Sequence, residues 1–141
     1  MNSPINPRSQ PILARPVPCD ERPQILPRHF GRYMMSVENA IYSFMRKLCP
    51  AYNGGYWHFY ELSNAGFYMA PDSENRFDVY VDGNGFDGTL SADAAGITAC
   101  LFAFSHLSFA IDHDTIPRHY HWLRDFAMDH AEARYILAAI D

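Results

Sequence analysis

The chain has 141 residues, of which 48% are hydrophobic, 15% aromatic and 19% charged. This length is most simply one domain, which buries roughly two thirds of its unfolded surface and needs no disulfide or metal for stability. The net charge of −5 has the wrong sign for a surface that binds nucleic acid phosphates through many basic side chains, so we expect no direct DNA binding.

The cysteines and the hydropathy pattern indicate in which cellular compartment we expect the protein. Cys19, Cys49 and Cys100 are odd in number and lack CxxC spacing, which argues against a disulfide framework and against a zinc ribbon. The amino terminus has no charged segment followed by an apolar one, so we expect no signal peptide. The most apolar run, residues 96–111, is shorter than the about 20 apolar residues that a membrane span needs. These features predict a cytoplasmic protein with reduced thiols and no membrane partner.

The first 28 residues contain seven of the ten prolines, with four arginines against two acidic residues. Because proline lacks the backbone N–H and fixes φ, this density predicts an extended and partly mobile arm without helix or sheet. We therefore place one α+β domain in residues 29–141.

The pattern of apolar residues then changes along the chain. In residues 33–49 they recur every three or four positions, which predicts an amphipathic helix. Residues 56–90 alternate and are rich in aromatic and β-branched side chains, which predicts strands over 56–60, 67–69 and 77–82 and a short fourth over 86–90. The connections over 63–66 and 71–75 are short and rich in turn formers, so consecutive strands should pair antiparallel.

The second half of the chain is predicted to be helical. Ser91 is the expected N-cap of a helix that continues to about residue 109 and carries apolar residues on most sides, as a central buried helix does. Further helices are predicted from near Thr115, with Pro117 in its first turn, and over about 131–140. The fold class is therefore α+β in a single domain: an N-terminal helix, an antiparallel β-meander of three to four strands, and then about three helices.

Gly83, Gly85 and Gly88 form a GxGxxG pattern between a predicted strand and a predicted helix, as in dinucleotide-binding loops. The neighbouring chemistry disfavours that function. Asp87 would place a carboxylate against the pyrophosphate, and no second parallel strand with a ribose-binding acid follows. An EF-hand calcium loop fails as well, because Phe86 occupies a ligand position. A tight turn explains the glycines better, and a small nucleotide-binding enzyme that uses residues 83–88 remains the alternative function.

The seven histidines and the serines do not form a recognisable active site. His119 and His121 are two residues apart on a predicted helix, so their side chains point in nearly opposite directions and cannot share a metal. Ser105, which precedes His106, and Ser108 lie on a predicted helix and not on the strand-to-helix turn of a nucleophilic serine. We assign no catalytic residue, no metal and no cofactor.

Acidic residues are concentrated in the middle of the chain. Residues 61–114 contain nine of them against one base, Arg76. Such a stretch is typical of a solvated face, and the alternative is a surface that steers toward a basic protein partner. The candidate interaction residues flank the central helix in sequence or end the chain: Asp82, Asp87, Asp112, Asp114 and Asp141. A net charge of −5 is too small to imitate a DNA duplex, which carries one charge per ~1.7 Å of axis.

Three long segments resemble the KlcA/ArdB family of antirestriction proteins of conjugative plasmids: YWHFYELSNAGFYMAP, FDVYVDGNGFDGTLSADAAGITACLFAFSHLSF and RHYHWLRDFAMDHAEARYILAAID. The resemblance runs almost from end to end and does not depend on a short catalytic motif. It implies a single α+β domain with an antiparallel sheet, and protection of incoming unmodified DNA from type I restriction enzymes of the host. It implies no enzymatic activity and no cofactor.

The resemblance also suggests the partner. The KlcA/ArdB family is distinct from the strongly acidic antirestriction proteins that imitate B-form DNA, so we expect a route other than full DNA mimicry. The expected partner is the host type I restriction-modification complex, or a factor on which that complex depends. A monomer is the default expectation for the oligomeric state.

Overall fold

A computed structural model describes residues 10–141. The elements follow one another as β1 (Ala14–Pro16), α1 (Arg22–Phe30), α2 (Met34–Leu48), β2 (Trp57–Leu62), β3 (Phe67–Pro71), β4 (Arg76–Val81), β5 (Phe86–Ser91), α3 (Ala92–Ala110), α4 (Thr115–Met128) and α5 (Ala133–Ile140), with a 3-10 turn over Gly31–Tyr33 ahead of α2. The predicted α+β class with antiparallel strands is confirmed. The predicted helices and strands in residues 33–140 are also present, with ends that differ by a few residues.

The strands form two sheets, and here one finer prediction is wrong. The order β1-β2-β3 makes one antiparallel sheet, β4 and β5 make a separate hairpin, and β3 does not pair with β4. The reason is that α3 covers the edge of β3. The Cys100 thiol donates to the Met69 carbonyl at 3.6 Å, and a Cβ on Gly96 would lie 2.6 Å from the same oxygen. The side of β3 that faces away from β2 is therefore occupied by a helix.

Helix α3 is the centre of the fold, as its composition predicts. Twelve of its 19 residues are buried, and it packs against β3, α2, α4 and α5. The Ser91 hydroxyl oxygen accepts a hydrogen bond from the Ala94 N–H at 3.1 Å, which confirms the predicted N-cap. By length and composition alone α3 could cross a membrane, but 67% of its apolar window is buried by the rest of the protein, and a core helix meets the same criterion.

The prediction that the prolines exclude helix and sheet is wrong for part of residues 10–28. These residues contain β1 and most of α1. Pro23 stands in the first turn of α1, where no N–H is needed. The Val17 N–H donates to the Phe59 carbonyl of β2 at 2.9 Å, so the nitrogen of Pro16, one residue earlier, faces away from β2 and no ladder bond is lost. The part of the predicted arm over residues 1–9 lies outside the described residues.

Candidate functional site

The five predicted interaction aspartates are all exposed, and they lie in two places. Asp82 follows β4 in the hairpin turn, and Asp87 lies in β5 opposite Tyr80. The Asn84 side-chain amide in that turn donates to the Ala139 carbonyl at 2.9 Å, which brings the end of α5, and with it Asp141, to the same end of the molecule. Asp112 and Asp114 lie in the connection between α3 and α4. The structure therefore divides these residues into two acidic ends and does not gather them into one cluster.

A groove lies beside α2 and α3. One cavity of about 310 Å³ is lined by these two helices, and a second of about 270 Å³ adds β4 and the β4–β5 turn, including Asp82. The two cavities share Phe44 and Lys47 and are therefore adjacent, and together we call them the α2–α3 groove.

The α2–α3 groove is rich in aromatic side chains. The ring of Phe44 stacks on Phe102 with centroids 5.7 Å apart and an interplanar angle of 19°, and it meets His106 edge-on at 5.7 Å. Tyr80, at one end of the groove, is 49% exposed. Phe109 lies two turns of α3 beyond Phe102 and is 92% exposed, which is unusual for a phenylalanine in a protein of this size. This surface combines apolar area with few polar groups, as protein interfaces do.

A polar cluster at the start of α3 joins the hairpin to α5. The Glu132 carboxylate accepts from the Ser91 N–H at 2.9 Å and from the Ser91 hydroxyl, and it pairs with Arg76 at 3.3 Å. Burial opposes the ionisation of Glu132, but these hydrogen bonds outweigh it, so the pKa of Glu132 is lowered. The adjacent Asp93 accepts from the Tyr68 hydroxyl at 2.8 Å and from His130 Nε2 at 2.7 Å. Nδ1 of His130 accepts from the Glu132 N–H at 3.0 Å, so both ring nitrogens are engaged.

A second polar cluster fixes α1 and β1 to the sheet. The Glu61 carboxylate accepts from Arg15 Nη2 at 2.7 Å and from His29 Nε2 at 2.7 Å. Burial would raise the pKa of Glu61, but the two donors lower it overall. Because both carboxylate oxygens of Glu61 have partners, we assign this cluster the role of holding α1 in place against the sheet.

Neither buried thiol is an activated nucleophile. Burial raises the pKa of the Cys49 thiol to about 11 and that of Cys100 to about 12, so both are poor nucleophiles at neutral pH. Burial among aromatic rings lowers the pKa of His119 to about 3, which keeps the imidazole neutral. Among residues 10–141, no group of three or more His, Cys, Asp or Glu side chains is arranged to hold a metal ion.

The glycine-rich segment forms the turn of a hairpin. It connects two antiparallel strands, and Gly88 lies inside β5, opposite Val79. Gly85 has a φ of +74°, and its N–H donates to the Val81 carbonyl at 2.9 Å, which closes the turn. A dinucleotide-binding loop instead leads from a strand directly into the helix whose N-terminus holds the phosphates. This context gives no support to the alternative nucleotide-binding function.

Residues 50–141 match the family described as antirestriction protein. The chain belongs to the antirestriction protein family. The chain is also similar to an antirestriction protein KlcA of Escherichia coli, with 49% identity over 97% of this chain and 100% of that protein. A protein of the K-12 strain, YafX, is 38% identical over 97% of this chain and 95% of its own length.

A solved structure from a study of the KlcA and ArdB proteins matches with a TM-score of 0.85 and 48% identity, covering 100% of both chains. Those proteins are described as having a novel fold and antirestriction activity against type I DNA restriction systems in vivo but not in vitro. The antirestriction family membership confirms the resemblance found in the sequence.

Apart from Asp82, the residues of the α2–α3 groove are ones that the sequence does not single out. The apolar periodicity over residues 33–49 and the apolar composition of residues 91–109 predict only packing, so they do not distinguish Phe44, Phe102 or Phe109. One signal was available for Phe109. It is an aromatic residue at the end of a helix, three positions before the exposed Asp112.

Proposed function

We propose that this member of the antirestriction family protects incoming unmodified DNA in the cytoplasm by inhibiting type I restriction, and that it does so without enzymatic activity. The observation that carries the proposal is the whole-length similarity, at 48% identity, to a structure of proteins with antirestriction activity against type I systems. At this identity over the entire chain, we expect the fold and the exposed surface to serve the same antirestriction role.

The acidic surface supports a route other than full DNA mimicry. A duplex presents a regular line of negative charge, one per ~1.7 Å of axis. Here the five candidate aspartates lie at two ends, and Lys47 is exposed in the groove between α2 and α3. We propose contact with the restriction complex, or with a factor on which that complex depends, through a protein surface. The activity of the KlcA and ArdB proteins in vivo but not in vitro favours the second partner.

The test is the plating efficiency of an unmodified phage on a host with a type I restriction system, with and without expression of the chain. Expression should raise the efficiency toward that of a phage already modified by the same host, which serves as the control. Cleavage of unmodified DNA by the purified restriction enzyme, measured with and without the protein, then separates direct from indirect inhibition. Unchanged plating in the presence of the folded protein would refute the proposed function.

A further inference from the structure

We propose that the α2–α3 groove, together with Phe109, receives an amphipathic helix of a partner protein that has apolar side chains on one face and basic residues at both ends. This proposal rests on the proposed function, since the partner would be the restriction complex or the factor on which it depends. Beyond that function, the proposal identifies the docking surface on this chain and the chemistry of the partner segment that binds there.

Phe102 lines the groove, and Phe109 projects from the same face of α3 beyond it. Phe102 and Phe109 are seven residues apart on α3, which corresponds to about 10 Å along the helix axis. The same distance separates residues i and i+7 on the apolar face of a partner helix. Phe44 and Lys47 join the two cavities between these points. An exposed phenylalanine beside a preformed depression is the type of anchor that carries most of the affinity of an interface.

The charges around the groove define the ends of the partner helix. Asp82 lines one end of the groove, and Asp87 pairs across the hairpin with Tyr80, which lines the same end. Asp112 follows Phe109 by three residues, just past the end of α3. None of the ion pairs formed within residues 10–141 includes these three aspartates or Lys47. A helix with basic residues at both ends and an acidic residue near its middle would satisfy all four charges. Such complementarity favours this partner over a neutral or acidic one.

The same charges argue against a second copy of the chain as the occupant. In a two-fold symmetric contact each groove would face its own copy. Because both ends of the groove are acidic, a second copy aligned along the groove would bring aspartates against aspartates, and a second copy that crosses it would bring Lys47 against Lys47. Each chain also carries a net charge of −5, which adds repulsion.

The first experiment uses two synthetic 18-residue amphipathic helices as probes, with leucines on one face and either lysines or glutamates at both ends. Each is titrated into the ¹⁵N-labelled full chain, and amide shifts are followed by NMR. We expect the lysine-flanked peptide to shift the amides around Phe44, Phe102 and Phe109 and to bind at least tenfold more tightly than the glutamate-flanked one. The Phe109→Ala variant should weaken binding at least tenfold. Shifts outside the groove, or equal binding of both peptides, would overturn the proposal.

The second experiment measures protection from type I restriction by the full chain in cells. Phe109→Ala and the double variant Asp82→Asn with Asp112→Asn should each lower protection at least tenfold. Both replace exposed side chains, so the melting temperature should not change. Met128→Ala is the matched control, because Met128 is an apolar residue 51% exposed at the end of α4 and outside the groove. Full protection by the folded Phe109→Ala variant would refute the docking role.

The two experiments separate this inference from the proposed function. If the wild-type chain gives no protection, the proposed function fails, and the peptide titration still decides whether the groove binds a basic-flanked helix. Light scattering on the wild-type chain tests the remaining occupant. A dimer that dissociates on Phe109→Ala would show that a second copy fills the groove, and would overturn the proposal.

Discussion

Replacing Gly96 with alanine should destabilise the fold, although alanine is the better helix former by about 1 kcal/mol. Gly96 lies in the first half of α3, against β3. A Cβ at this position would lie 2.5 Å from the Cβ of Ala70, 2.6 Å from the Cα of Ala70 and 2.6 Å from the carbonyl oxygen of Met69. Two of these three atoms belong to the strand backbone, so rotation of a side chain cannot relieve the contact.

The size of the effect follows from these distances. Carbon atoms in ordinary contact are about 3.5–4.0 Å apart, so α3 and β3 would have to separate by about 1 Å. Overpacking of a core costs about 1–3 kcal/mol, and a rigid strand backbone places this site at the upper end. After the gain in helix propensity is subtracted, the free energy of unfolding should fall by about 2 kcal/mol. In a chain of this size, the melting temperature should fall by roughly 6 °C.

Urea unfolding followed by tryptophan fluorescence and circular dichroism measures this loss. Gly83→Ala is the control, because Gly83 has no positive φ and a Cβ there would meet nothing within 4 Å. The control should stay within about 0.5 kcal/mol of the wild-type chain. If Gly96→Ala is as stable as the wild-type chain or more stable, the close approach of α3 to β3 is not as described.

Three further predictions concern stability in acid, the hairpin turn and the thiols. The pKa of His119 is about 3 in the folded chain and near 6.5 in the unfolded chain, so between these pH values only the unfolded chain binds a proton at this imidazole. His119 should therefore lower the free energy of unfolding by about 2 kcal/mol between pH 7 and pH 5. His119→Phe should flatten that slope in urea titrations at each pH, and an unchanged slope would contradict the assignment. Asn84→Ala should cost about 1–2 kcal/mol, since it removes both the bond to the end of α5 and the acceptor within the turn. Asn84→Asp keeps the turn acceptor but loses the donor to α5, so it should also be destabilising, and wild-type stability of Asn84→Asp would argue against the bond to α5. A thiol reagent should modify Cys19 in the native protein, but Cys49 and Cys100 only in denaturant, and rapid labelling of all three thiols would be inconsistent with their burial.

The elements were predictable because local patterns determine them. The alternation over residues 77–82 places Val79 and Val81 on one face and Asp78 and Tyr80 on the other, and in the structure the first pair is buried and the second exposed. The separation of the two sheets was not predictable, because it depends on the contact of Gly96 with Ala70, 26 positions away in sequence. A glycine within a helix indicates a close approach but does not identify the partner.

Sequence patterns also do not show where the five candidate aspartates lie in the fold, or which positions the prolines occupy within their elements. The exposure of the five aspartates follows from their charge, but their division between two ends depends on the bond from Asn84 to Ala139, 55 positions away. The composition of residues 10–28 disfavours regular structure on average. It does not reveal that Pro16 and Pro23 occupy the two kinds of position that tolerate the missing N–H.

The position of α3 along β3 also has a consequence for behaviour at high concentration. An open strand edge is a template on which another chain can add and start aggregation. In this protein one edge of the three-stranded sheet is covered by α3. The opposite edge is the three-residue strand β1, whose Pro16 presents no N–H outward and whose Arg15 adds a charge. We therefore expect this three-stranded sheet to resist strand-by-strand association in spite of the high aromatic content of the chain.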